Sequence, residues 1–174
     1  MTISTRKFIT SLAVVLLSSS PLLASAAGNG YKMALIEDAP GAEYIKAGQF
    51  AQAIELAQST RIADSEPFYR QVSLCVSYSR TGQFELAETA CNDAVQLAAT
   101  LQAVPRSTKR EMRALALNNR GVMSLVAGDK VAALQDFMEA VRLDNSDLTL
   151  ANLERLTVSI NGNDIQEIAL QAAE

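Results

Sequence analysis

"KAGQFAQAIELAQ" runs from Lys46 to Gln58, and "RTGQFELAETACN" runs from Arg80 to Asn92. Both carry Gly-Gln-Phe followed by an alanine-rich stretch, and their glycines stand 34 residues apart. Gly128 and Gly162 are also 34 apart, while the middle interval is 46, or 34 plus 12. Gln49, Gln83, Asp129 or Asn163 follows each glycine, and each glycine opens a segment with apolar residues at helical spacing. After Gly82 these are Phe84, Ala87, Cys91, Ala94, Val95 and Ala98; after Gly128 they are Val131, Leu134, Phe137, Met138 and Val141. Such stripes mark one buried face of a helix. Recurrence at this interval marks an array of similar units, each too small to bury its own apolar face.

The segments before the glycines are helical as well. Residues 68–80 and 108–127 hold no breaker except Gly121. Each turn glycine therefore ends one helix in a left-handed conformation that costs glycine little, and the next helix starts at once. The unit is a helix hairpin. Pro40, Pro67 and Pro105 fall at or just before the first helix of a unit, where a missing N–H is harmless. Thr108 with Glu111 reads as a capping box for the third unit. Ser65, Ser146 and Asn163 or Asp164 read as caps elsewhere. The 12 additional residues between the second and third units extend the helix carrying Cys91 to about Val104 and lengthen the start of the next one.

This pattern resembles the tetratricopeptide repeat family, whose units are 34-residue helix pairs. That family favours small residues where the paired helices approach closest. Gly41, Cys75 and Gly121 occupy one such position, and Ala53, Ala87 and Ala133 another. Arg155 and Glu167 depart from the pattern in the fourth unit. The family's tyrosine matches Tyr44 and Tyr78 but is Ser124 and Val158 further on, and its bulky residue on the second helix matches Phe137. The resemblance implies an all-α right-handed solenoid over residues 34–174. Its repeats would be about 34–64, 66–104 and 108–145, with a degenerate capping pair at 146–174. The first helix of the first unit is shortened by Pro40 and Gly41. "DIQEIALQAAE" suits a terminal helix, which must show water a polar face.

The composition agrees with helices: 49% hydrophobic but only 5% aromatic, with eight glycines and four prolines. Residues 1–26 read as a secretory signal. Arg6 and Lys7 form its positive start, "FITSLAVVLLSSSPLLA" its apolar middle and "ASA" its cleavage site, with cleavage after Ala26. Ser18, Ser19, Ser20 and Pro21 interrupt the run, which leaves it short for a membrane span. The expectation is a soluble, exported and periplasmic protein, with residues 27–33 as a disordered lead-in. Losing Arg6 and Lys7 leaves 13 basic against 19 acidic residues, a net charge of −6. That balance argues against nucleic acid as a partner.

Cys75 and Cys91 are the only cysteines. In a hairpin turning at residues 82 and 83 they lie equally far from the turn and face each other. Export and this register predict a disulfide between them.

The chain has no histidine, which excludes imidazole-based catalysis and histidine-containing zinc sites. No cofactor or metal is expected. Glu37, Asp38 and Glu43 could in principle serve a carboxylate enzyme, but acids at a helix start explain them better. "DNSD" (Asp144–Asp147) and "NGND" (Asn161–Asp164) lack the spacing of a calcium loop and read as turns. Arg106, Lys109, Arg110 and Arg113 form one basic patch. It is a solvated helix start, or else a contact for an acidic partner or lipid headgroups.

The resemblance implies that first helices line a groove for a peptide or a partner helix. The residues carried over are Tyr69, Val72, Val76 and Ser79 in the second unit, and Leu115, Asn118, Val122 and Leu125 in the third. Tyr69 and Leu115 would anchor a side chain and Asn118 would bond a peptide backbone. The implied function is a non-catalytic protein-binding scaffold. A structural subunit of an envelope assembly is the alternative, and a carboxylate-based enzyme the reading from another class.

Overall fold

The computed structural model describes residues 30–59, 67–102 and 104–160. Seven helices and no strand occur among these residues: α1 (Ala42–Lys46), α2 (Phe50–Ser59), α3 (Pro67–Thr81), α4 (Phe84–Thr100), α5 (Arg106–Ala127), α6 (Lys130–Leu143) and α7 (Asp147–Ser159). The protein is all-α over this range. The proposed signal segment and the second helix of the fourth unit lie outside the described residues, as do Ser65, Asn163 and Asp164.

Three turns are built alike. Gly48, Gly82 and Gly128 have φ of 73°, 71° and 99°. Beyond each, the N–H of Gln49, Gln83 or Asp129 donates to the carbonyl five residues back: Tyr44, Tyr78 and Ser124, at 2.8, 3.0 and 2.8 Å. The glycine N–H reaches the carbonyl three residues back. This is the Schellman closure, which satisfies carbonyls orphaned at a helix end. The residue after the glycine then accepts the first bond of the next helix, from Ala53, Ala87 or Ala133. The reversal is therefore immediate, and α1–α2, α3–α4 and α5–α6 become hairpins.

The small residues lie at the contacts. A Cβ added to Gly121 would sit 2.7 Å from the Phe137 ring, and one added to Gly41 would sit 2.9 Å from the Ala53 backbone. In the middle hairpin a Cys75–Cys91 disulfide occupies the corresponding place, with the Cα atoms 4.8 Å apart. Each helix packs on its sequence neighbours. In addition α1 packs on α3, α3 on α5 and α5 on α7, whereas among the described residues no two even-numbered helices have closely approaching backbones. The odd-numbered helices thus form one continuous layer. Phe68, Phe137 and Leu156, each at most 1% exposed, are the largest fully buried apolar side chains among the described residues.

Three local expectations change. The helix α4 stops at Thr100, short of Val104, because Leu101 turns extended (φ −48°, ψ 133°). Pro105 then takes the N-cap position of α5, so Thr108 lies inside the helix and does not open it with a capping box. The added residues lengthen α4 and α5 to 17 and 22 residues. Finally, residues 30–33 are not a free lead-in. They begin an extended segment, residues 31–36, which lies against the odd-numbered layer, and Tyr31 and Ala34 in it are buried.

Candidate functional site

The extended segment, called here the strap, is held by three asparagines. Asn118 and Asn119 are adjacent on α5, and Asn152 is on α7, 34 residues beyond Asn118. All three are at most 1% exposed. Asn119 pairs with both backbone groups of Ala34: its Oδ1 accepts from the N–H at 2.5 Å and its Nδ2 donates to the carbonyl at 2.9 Å. Asn152 treats Lys32 the same way, at 3.0 and 2.7 Å. Asn118 donates to the Lys32 carbonyl at 3.0 Å and accepts from Asn152 Nδ2 at 2.8 Å. A side-chain amide sets an N–H donor beside a carbonyl acceptor, so it can pair with an extended residue as a neighbouring strand would. The pairing at residues 32 and 34 follows the two-residue period of extended chain.

The strap packs Tyr31, Met33, Ala34 and Ile36 against the layer. Tyr31 packs with Val122, Ala133, Phe137 and Leu156, its ring nearly parallel to that of Phe137 at 6.1 Å between centroids. The Arg155 guanidinium lies 5.9 Å from the Tyr31 ring centroid, within cation–π range. Met33 bridges this cluster and the one around Leu74, Cys75, Tyr78 and Met123. Ile36 packs on the cluster of Phe68, Val72 and Ala116. Lys32 is exposed.

The residues carried over for the groove divide. Asn118, Val122 and Leu125 meet the strap or its cluster. Val72 and Val76 are buried, Val72 against Ala94, Ala98 and Ala116. Ser79 is buried and donates to the Cys75 carbonyl at 2.6 Å. Tyr69 and Leu115 remain half-buried. The reading from sequence missed Asn119, Asn152, Arg155 and Tyr31. A signal was present: two adjacent amides within the stripe-bearing region of α5, and a third one unit later.

The basic patch is partly spent inside the fold. Arg110 donates to the Leu143 carbonyl at 2.8 Å, closing the end of α6. Arg113 lies 4.0 Å from Glu139, which Arg142 also engages at 2.6 Å. The hydrogen bond from Arg142 holds the Glu139 carboxyl below the usual range, and the charges of Arg142 and Arg113 add to this. Between α5 and α6, Arg120 forms a two-pronged pair with Asp136 at 2.6 and 2.8 Å and also donates to Asn92 at 3.0 Å. The Asp136 bond raises the Arg120 pKa, so the guanidinium is charged throughout. Glu43, in the first turn of α1, and Glu37, in the turn before it, share Lys46.

Among the described residues no group of three Cys, Asp or Glu side chains is placed to hold a metal, and no helix is long and apolar enough to cross a membrane. Compared with known proteins, the chain matches no family model, no curated protein and no solved structure.

Proposed function

We propose that the chain is a non-catalytic scaffold of the bacterial periplasm that binds a partner protein through an extended peptide segment. The layer of odd-numbered helices is the binding face, and the hairpins form a solenoid of the tetratricopeptide repeat type. One observation carries the reading: three buried amides, two of them 34 residues apart, grip the backbone of an extended chain. Backbone pairing supplies affinity for almost any sequence, and the flanking apolar pockets supply selection. The three congruent Schellman turns and the Gly121–Phe137 and Gly41–Ala53 contacts support the repeat assignment. The Cys75–Cys91 disulfide is compatible with export to an oxidising compartment.

A photo-crosslinking side chain at Leu115, which is half-buried beside Asn118, tests this in the producing cell. The expected product joins Leu115 to one extended segment of a partner, mapped by mass spectrometry. Stable stoichiometric complexes would favour a fixed envelope subunit over an adaptor. Crosslinks confined to a control position on the far face, such as Leu86, would remove the groove from the function. A bound sugar that is turned over would revive the carboxylate enzyme.

A further inference from the structure

The groove proposed to hold a partner is already full. Its occupant is residues 30–36 of the same chain, and the manner of occupation says what kind of ligand the groove takes. The backbone of Lys32 and Ala34 is read by side-chain amides alone. A segment that served only to cover the core would need no buried amides, which are costly unless paired. Apolar residues on α5 and α7 would cover Tyr31 and Met33 as well. Asn118, Asn119 and Asn152 make sense where one extended chain can be exchanged for another.

We infer that the strap is a displaceable internal ligand that holds the groove closed, and that the partner segment which displaces it has the same chemistry. This rests on the peptide-binding reading above. The occupant defines the motif. At Gly30 the backbone φ is 80°, a left-handed conformation that favours glycine there. The next residue is aromatic, parallel to the Phe137 ring and within reach of the Arg155 guanidinium. Two residues on comes a long apolar side chain, as Met33. The residue after it is small, because Ala34 is buried against α5. An apolar residue at the place of Ile36 completes the motif. The place of Lys32 is open to any side chain.

The strap is tethered by a short turn, residues 37–41, in which Ala39 N–H donates to the Ile36 carbonyl at 3.0 Å. A short tether gives an effective concentration on the order of millimolar. An incoming segment therefore meets a mostly closed groove, and its apparent affinity falls with the fraction of open molecules.

The test inserts a protease site between Glu37 and Asp38, both exposed. The purified protein folds with its strap and is then cut. The probe is the synthetic peptide GYKMALIE, residues 30–37, labelled at its C-terminus. The cut protein is expected to take up the probe, and the uncut protein to take up at least about tenfold less at equal concentration. Probes carrying Tyr31→Ala or Ala34→Gln should fail, and one carrying Lys32→Glu should bind like the parent. Equal uptake before and after cutting, or a cut strap that stays while excess probe is refused, would overturn the inference. So would a concentration-dependent dimer of the uncut protein that Tyr31→Ala abolishes, since the occupant would then be a second copy's strap. In the unmodified protein, amides 32 and 34 should exchange with deuterium by a local opening that precedes global unfolding. Exchange only on global unfolding would be equally fatal. Probe uptake without groove crosslinks in the cell would remove the functional reading alone. Groove crosslinks with a refused probe would remove this inference alone.

Discussion

Asn119 and Ala34 stand 85 residues apart in the chain and share two hydrogen bonds, a side-chain amide lying alongside a backbone amide. Replacing Asn119 with Ala strands both backbone groups of Ala34 in a buried place. The expected cost is about 2–3 kcal/mol, read from the urea midpoint. Asn152→Ala should cost a similar amount, because it removes the donor of the buried Asn118 Oδ1 and the acceptor of the Lys32 N–H, while the Lys32 carbonyl keeps Asn118. Losses well below about 1 kcal/mol would mean that the amides do not act through these bonds.

The disulfide joins α3 and α4 at side chains with no exposure. Replacing both Cys75 and Cys91 with Ala should lower stability by roughly 3 kcal/mol in the chain-entropy description of a loop this long. The fold should survive, as judged by circular dichroism. Two thiols that alkylate readily in the native protein would contradict the bond.

Gly121 leaves room for the Phe137 ring. Gly121→Ala should destabilise by about 1–3 kcal/mol through overpacking, despite alanine's better helix propensity. Phe137→Leu in the same chain should recover part of that loss, giving a coupling of about 0.5 kcal/mol or more in a double-mutant cycle. Additive effects would show that the two side chains do not compete for one space.

Glu139 makes the acid limb of the stability curve predictable in sign. Its folded pKa lies below the unfolded value because Arg142 bonds the carboxylate and Arg113 lies near. The unfolded chain thus takes up the proton first as pH falls. The contribution is fully present above the ordinary glutamate range and disappears as pH drops through the lowered folded value. Melting curves of Glu139→Gln should match the parent more closely at pH 3 than at pH 7. A gap that widens toward acid would reverse the assignment.

Much of the architecture is legible in the order of residues, because turns are local. Gly82 announces a positive φ, Gln83 supplies the N–H that closes the helix end, and the alanines that follow permit close approach. The Cys75–Cys91 pairing follows from the same register. The strap is different in kind. "YKMALI" has no period of its own, and its partners lie 85 to 120 residues away. Val72 and Val76 fit a groove by position, yet their exposure depends on how close the neighbouring helices come, which no local pattern records. Arg155 breaks the small-residue pattern expected of its position and uses the freedom to reach Tyr31.

The strap also has a length. From Tyr31 to Ile36 an extended chain covers about 17 Å. It is pinned near α7 through Asn152, at α5 through Asn118 and Asn119, and near α3 through Ile36 beside Phe68. Packed helices stand about 8–10 Å apart, so three of them in a row span close to that distance. The segment works as a ruler laid across the stack. A ligand with a residue inserted between its aromatic and its final apolar side chain would be measured against the same three helices, and would not fit.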